Sequence, residues 1–409
     1  MKVRIIFILM FILISFPSLF AQNTEMIGDT LELNVNGYKE GQIQWQFSND
    51  SVKWSDIVGA TNRNMKYKIN EKSYFRAKIT VGKCIYYTGV SPIKAFDFKV
   101  VDEKGDSIFS KTSEYIILIP DIQNYISFYN NNKYLQNMID WIVKFNNTGF
   151  KIKIVLQLGD VTNGNSIPEW KVAKEIFGTL NNKIDYMLCT GNHDYGINGK
   201  CENRNTLISD FFNKSNLPKT IETMYPDNFE NYFFKTKVFD QDIIVYSLEF
   251  GPRDKVINWA DSVAKANPNS LCFLMTHAYL FKDQQRFNYS LFGNKQYLNP
   301  HEFGFSNIEN VNDGEELWQK LIINNQNFKF VFCGHMTPDY VGKLISENNK
   351  GEKVLQMLYD TQDFQNGGDG WMQILEFKAK PYLVNVKAYS TITKAWGTKN
   401  VEQYIFEYK

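Results

Sequence analysis

The chain is poor in histidine, with four among 409 residues, and its five cysteines form no C-x-x-C pair. An odd cysteine count without regular spacing gives no basis for a disulfide framework. Cys189, Cys272 and Cys333 each fall in an apolar run, which makes them core thiols. Charge of one sign is also lacking. The 45 basic and 44 acidic side chains leave +1, which excludes a nucleic-acid binder that works by broad phosphate neutralisation. A mean hydropathy of −0.35 excludes a polytopic membrane protein. No internal repeat or low-complexity linker occurs, and the lack of a Gly-x-Ser-x-Gly elbow disfavours a Ser-His-Asp hydrolase. What remains is an ordinary globular composition, 44% hydrophobic and 22% charged, neither disordered nor coiled coil, with length for two or three domains.

One long apolar run is present, at the start. Lys2 and Arg4 precede Ile5–Phe16, followed by Pro17, Ser18 and, before Gln22, the small residue Ala21. A basic n-region, a short h-region and a small residue at the cleavage point fit a secretory signal peptide over residues 1–21. The competing role, an uncleaved N-terminal anchor, is disfavoured because a bilayer span usually needs about 20 continuous apolar residues and this run is broken by Ser15 and Pro17. The expectation is therefore a secreted or periplasmic protein with no stable membrane span after cleavage.

Residues 22–100 alternate over short runs, Leu31–Val35, Ile43–Phe47, Met65–Ile69, Tyr74–Val81 and Ile85–Val90, parted by polar clusters. Gly82-Lys83 reads as a hairpin turn. This spacing predicts a small all-β sandwich with Trp45 as a core anchor. Trp45, Trp54 and Tyr74-Phe75-Arg76-Ala77 carry a resemblance to immunoglobulin-like modules of exported bacterial proteins. A charged, glycine-containing stretch at 99–112 marks the boundary. From residue 113 onward, strands alternate with helices. Leu135, Met138, Ile139, Ile142 and Phe145 recur at helical spacing, and Ser166 with Glu169 forms a capping box.

The informative polar residues follow the buried strands. Tyr115–Ile119 ends in Pro120-Asp121-Ile122-Gln123, and Ile152–Leu156 in Gln157-Leu158-Gly159-Asp160. Ile184–Cys189 ends in Thr190-Gly191-Asn192-His193-Asp194, Leu271–Met275 in Thr276-His277, and Phe328–Cys333 in Gly334-His335. Ligands gather at the C-terminal edge of strands in layered α/β folds. Three of the four histidines sit at these ends, beside carboxylates and an amide, which is the donor mixture of a metal centre.

Gly159-Asp160, Gly191-Asn192-His193-Asp194, Thr276-His277 and Gly334-His335 stand in the order and spacing of the calcineurin-like metallophosphoesterases, which residues 113–409 resemble. The resemblance implies a four-layer α-β-β-α sandwich with two divalent metal ions, Mn, Fe, Zn or Mg, at one sheet edge. It implies Asp160 as bridging carboxylate, with Asn192, His277 and His335 on one metal and Asp121 and Gln123 on the other. It also implies His193 as the group facing the leaving oxygen, with Asp194 orienting its imidazole. Two positions depart from the common pattern. Gln123 stands where histidine is usual, and Thr337 stands where Gly-His-x-His ends, so the Asp121/Gln123 metal is expected to bind more weakly. Similar substitutions mark an exported bacterial branch of the family, which Ser247–Asp254 and Gln356–Gln362 also resemble. Asn163, where purple acid phosphatases have tyrosine, sets that branch aside.

The function expected is a metal-dependent phosphoester hydrolase. A metal-held hydroxide attacks phosphorus in line, and His193 protonates the leaving oxygen. Monoester and diester substrates, including an extracellular polymer, stay open, and no specific nucleic-acid binding is expected. Arg253 is a candidate phosphate clamp, with an ion pair to Asp254 or Glu249 as its competing role. His301 is a candidate substrate contact in a loop. The alternative is a catalytically weak or inert extracellular binding or adhesion protein. The presence together of Asp160, Asn192, His193, His277 and His335 argues against inertness.

Overall fold

The computed structural model of the chain describes residues 24–26, 30–35, 40–68, 73–82, 84–88, 91–96, 109–218, 220–337 and 340–408. The expected signal peptide and most of the 99–112 boundary lie outside these. The chain divides into two compact units between residues 108 and 109.

The first unit contains β1 (Thr24–Met26), β2 (Thr30–Asn34), β3 (Gln42–Ser48), β4 (Ser55–Asp56), β5 (Asn64–Lys68), β6 (Ser73–Val81), β7 (Cys84–Tyr87) and β8 (Ser91–Phe96). The strands order as β1-β8-β6-β3-β4, with β7 also on β6, and β2 pairs separately with β5. Among the described residues, every pairing in this unit but β1 with β8 is antiparallel. Alternation along β3 and β6 turns Ile43, Trp45, Phe75 and Ala77 inward to meet Val35 and Met65. Trp45 satisfies its buried indole by donating to the Asn62 carbonyl at 2.9 Å. Val81 pairs with Cys84 across the expected hairpin.

The second unit is built on two sheets. The first joins β9 (Glu114–Ile119), β10 (Lys151–Gln157) and β11 (Tyr186–Leu188) in parallel, and β19 (Trp371–Lys378), β20 (Leu383–Ser390) and β21 (Gln403–Glu407) continue it antiparallel from β9. The other runs in the order β12 (Ile221–Thr223), β13 (Tyr232–Val238), β14 (Gln241–Ser247), β15 (Leu271–Met275), β16 (Phe328–Cys333), β18 (Lys353–Tyr359), β17 (Val341–Glu347). Strands β14, β15, β16 and β18 are parallel, so their C-terminal ends share one rim.

Fully buried strands explain the continuous apolar runs, since both faces are covered. On one face of the larger sheet, Cys272, Leu274 and Phe328 pack with Val256, Ile257 and Ala260 of helix Asp254–Ala266 and with Leu317 and Leu321. From its other face Phe273 stacks on Phe377 of β19, and Phe330 meets Phe406. The far side of the smaller sheet is covered by helix Asn132–Asn147, where Phe145 meets Tyr115 and Trp141 meets Tyr389. The capping box at Ser166 and Glu169 starts helix Ile167–Phe177 as the sequence predicts.

Strands β12, β13 and β17 were not foreseen. Lys235 and Lys237 break the apolar run of β13, and β17 is a partly exposed edge whose alternation Gly342 interrupts. After the capping box at Asp313 and Glu316, a helical turn, Gly314–Leu317, widens into a π-helical turn at Trp318–Ile322. Among the described residues no helix is long and apolar enough to cross a membrane. Cys189, Cys201, Cys272 and Cys333 are buried free thiols, and Cys84 is an exposed one.

Candidate metal centre

The rim where β9, β10, β11, β15, β16 and β18 end brings Asp121, Gln123, Asp160, Asn192, His277 and His335 together. All six are buried. Asp160, His277 and His335 each offer a ligand atom within 4.8 Å of the others.

Three glycines keep this space open. A Cβ on Gly159 would collide with the His277 ring, one on Gly191 with Asp160 Oδ1, and one on Gly334 with Asp121 Oδ1. Gly159 is also at φ +107°, and Asp160 after it at φ +50°, a tight left-handed turn that lifts the carboxylate off the strand. Each motif glycine is therefore the close-approach partner of a neighbouring ligand.

Backbone carbonyls fix the histidines. His277 donates Nδ1–H to the Leu158 carbonyl at 2.8 Å, which leaves Nε2 facing Asp160 Oδ2 at 3.2 Å and Asp121 Oδ2 at 3.7 Å. His335 meets the Leu298 carbonyl through Nε2 at 2.7 Å, so its inward nitrogen is Nδ1. Such outer contacts select the tautomer of a metal-binding imidazole. The His335 backbone N–H in turn donates to both Asp121 oxygens, at 3.2 and 3.0 Å.

The donor set fits a cation. Gln123 Oε1 and Asn192 Oδ1 are buried and have no hydrogen-bond partner, and Nε2 of His277 faces only the Asp160 and Asp121 carboxylates. Buried polar atoms are rarely left so. Asp121, Asp160 and Asp360 are buried carboxylates within one cluster, and protein groups alone leave their charge poorly offset. Burial and then the charge of Asp360 hold Asp121 well above the usual carboxylate range. Burial likewise pushes Asp360 up to about 7. Burial disfavours charge on Asp160 too, but His277, His193 and His335 outweigh it and hold the carboxyl low. Burial would lower His277, yet Asp160 and Asp121 raise it to about 10. Burial and neighbouring His277 depress His335 to about 3.

His193 is half-buried at the edge of this cluster. Its backbone N–H donates to Asp160 Oδ1 at 2.8 Å, and its Nδ1 meets the Asn163 carbonyl at 2.9 Å. The orienting role expected for Asp194 is corrected here. Its two oxygens accept from the N–H groups of Val161, Thr162 and Gly191 and from the Thr162 hydroxyl, at 2.8–3.0 Å, with none left for the His193 ring. Asp194 ties the Asp160 turn to the Gly191 turn, and the Asn163 carbonyl orients the imidazole. Burial and the charge of Asp160 push Asp194 up to about 7, against these four donors.

Neither expected substrate contact joins the cluster. Arg253 grips Glu249 through Nε and Nη2 at 2.8 and 2.7 Å and Glu309 through Nη1 at 2.7 Å. With its fork filled, it is an ion-pair residue and not a free phosphate clamp. His301 bonds Glu316 at 2.7 Å and stacks on Tyr289. His301, Asp313 and Glu316 form a second group of ligand-type side chains, but Asp313 and Glu316 are engaged in a helix capping box.

Sequence reasoning missed Asp360 and Gln362, which enter the site from the loop after β18. Gln362 Nε2 donates to Asp360 Oδ2 at 3.0 Å and approaches Asp121 Oδ2 at 3.5 Å, and its Oε1 accepts from Gln123 Nε2. The strand-end signal that exposed the other ligands applies equally to Val354–Leu358.

Two sheets that deliver carboxylates, an amide and two tautomer-locked imidazoles to one rim define a metallohydrolase-type centre. The sequence matches the calcineurin-like phosphoesterase family over residues 115–339, and the chain belongs to that family. Residues 20–94 match a family described as a domain of unknown function. Uncharacterized protein YvnB of Bacillus subtilis (strain 168) is 24% identical over 274 residues, 65% of this chain, which spans 19% of that relative's length. Among solved structures, purple acid phosphatase PPD1 from yellow lupin aligns over 92% of this chain and 71% of its own, at 12% identity and a TM-score of 0.44. Hypothetical protein PH1004 from Pyrococcus horikoshii OT3 aligns over 71% of this chain and 89% of its own, at 10% identity and a TM-score of 0.28.

Proposed function

We propose that the protein is an exported, metal-dependent phosphoester hydrolase. The observation that carries this reading is the convergence of buried Asp121, Asp160, Asn192, His277 and His335 on one rim, where Oε1 of Gln123 and Oδ1 of Asn192 have no partner. Asn192, His277 and His335 would hold one divalent cation, Asp121 and Gln123 another, and Asp160 would serve both. When bound, such cations lower the pKa of water and neutralise phosphoryl charge. Nδ1 of His193 is held by the Asn163 carbonyl, which leaves Nε2 to carry a proton to the leaving oxygen of the ester. Asp194 keeps the two ligand turns in register.

The helix–sheet–sheet–helix order belongs to the same reading, supported by the Phe273–Phe377 contact between sheets and the helices on their outer faces. The antiparallel pairing around Trp45 supports an immunoglobulin-like first unit. Export rests on the basic-then-apolar start of the sequence, and N-terminal sequencing of exported material should read from Gln22. The function is tested by assaying the purified protein, with added Mn or Zn, against phosphomonoesters and phosphodiesters. Metal-dependent turnover of one class is expected, and binding of metal without turnover of either would favour the inert adhesion role.

A further inference from the structure

The metal position at Asp121 has two weak points by family standards, Gln123 and Thr337. A threonine hydroxyl is a poor neutral ligand, so Asp121, Asp160 and one amide oxygen would leave that cation underfilled. The structure supplies more. Strand β18 is parallel to β16, so its C-terminal end opens on the same rim as Gly334-His335. The chain leaves it as Asp360-Thr361-Gln362, all three buried. The Gln362 amide lies between two carboxylates, 3.0 Å from Asp360 Oδ2 and 3.5 Å from Asp121 Oδ2. Gln123 completes the ring, donating to Asp160 Oδ2 at 3.2 Å and to Gln362 Oε1. Its own Oε1 is buried without a partner.

Three carboxylates thus converge on two neutral amides. Amide N–H groups satisfy lone pairs but carry no charge to offset buried anions. A 180° turn of the Gln123 amide exchanges nitrogen for oxygen and presents a further neutral oxygen ligand to the same point, while Gln362 keeps its N–H bond to Asp360. Hard oxygen donors of this kind suit Mn or Mg better than Zn.

We propose that Asp360 is a ligand of the cation shared by Asp121 and Asp160, oriented by Gln362, and that it fills the place Thr337 cannot. The inference rests on the metallohydrolase reading and specifies its second position as an oxygen-only, Mn- or Mg-selective site. The test is Mn titration of the full chain, read by metal stoichiometry and by the exchange-coupled electron paramagnetic resonance of a Mn pair, with Mn anomalous scattering from crystals. The wild type is expected to take two Mn ions and give the coupled signal. Asp360→Asn should keep one tight ion, bind the second roughly 10–100-fold more weakly and lose the coupled signal. In wild-type crystals one anomalous peak should lie within coordination distance of an Asp360 oxygen, a result independent of whether the variant folds. A peak out of reach of Asp360, or a folded Asp360→Asn that keeps both ions at unchanged affinity, overturns the inference and leaves the hydrolase reading standing. A wild type that binds no Mn overturns both.

Discussion

The backbone N–H of His193 donates to Oδ1 of Asp160 at 2.8 Å, so the proposed general acid and the proposed bridging carboxylate are joined through main chain and not through the imidazole. Removing the ring leaves that bond in place. His193→Ala should keep its metal content and lose roughly 10²–10⁴ in turnover of alkyl phosphates, the usual worth of a positioned general acid. The loss should shrink for an aryl phosphate, whose leaving group scarcely needs a proton. Metal analysis beside kinetics on both substrates checks this, and loss of metal from the variant would make the imidazole a ligand.

The glycines should separate the two proposed metal positions. Gly334→Ala drives a methyl group into Asp121 and should weaken the Asp121 ion alone. Gly159→Ala drives one into His277, proposed to hold the other ion, and adds strain at φ +107°. Metal stoichiometry at limiting Mn should separate these variants, and an identical loss in both would count against two distinct positions.

Asp194 should prove structural. Asp194→Asn sets an amide N–H₂ against donors that now point at a carboxylate oxygen. A loss of about 1–3 kcal/mol is expected, that of a buried donor left unsatisfied. Chemical denaturation measures it, and unchanged stability with lost activity would restore a direct catalytic role.

His301 should show in stability against pH. Its bond to Glu316 raises its pKa in the folded protein. A histidine raised on folding adds stability that is fully present below its unfolded value of about 6.5 and is lost as pH rises through the folded value. His301→Gln should remove that slope, on the order of 0.5 kcal/mol for a partly exposed pair. Melting temperatures from pH 5 to 9 test it, and parallel curves for the two proteins would contradict it.

All the proposed ligands lie after residue 108, in the second unit. A chain beginning at residue 109 should hydrolyse a small phosphoester at close to the full-length rate. A folded, metal-loaded truncation without activity would mean that the first unit completes the site.

Much of this candidate site was legible because the proposed ligands follow continuous apolar strands and histidine is scarce. Asp121, Asp160, Asn192, His277 and His335 stood out on those two signals. Asp360 follows Val354–Leu358 in the same way, but no histidine marks it. Main-chain partners leave no trace in residue type, so the carbonyls of Leu158, Leu298 and Asn163 were invisible, and Asp194 was assigned to the wrong neighbour. Arg253 shows the limit of reading charge alone. Only the structure brings Glu309, 56 residues away, onto the guanidinium already held by Glu249. The missed strands β13 and β17 carry lysines or a glycine where a period-two pattern needs apolar residues.

The central claim is that a centre built on Asp160 hydrolyses phosphoesters. The direct measurement is turnover of the purified full chain against added Mn, with bound metal counted on the same samples, for the wild type and for Asp160→Ala. Turnover should rise with occupancy and level off at two ions per chain, while Asp160→Ala binds metal poorly and turns over no substrate. A wild type that carries two ions yet hydrolyses neither monoesters nor diesters, or an Asp160→Ala variant as active as the wild type, would contradict the account.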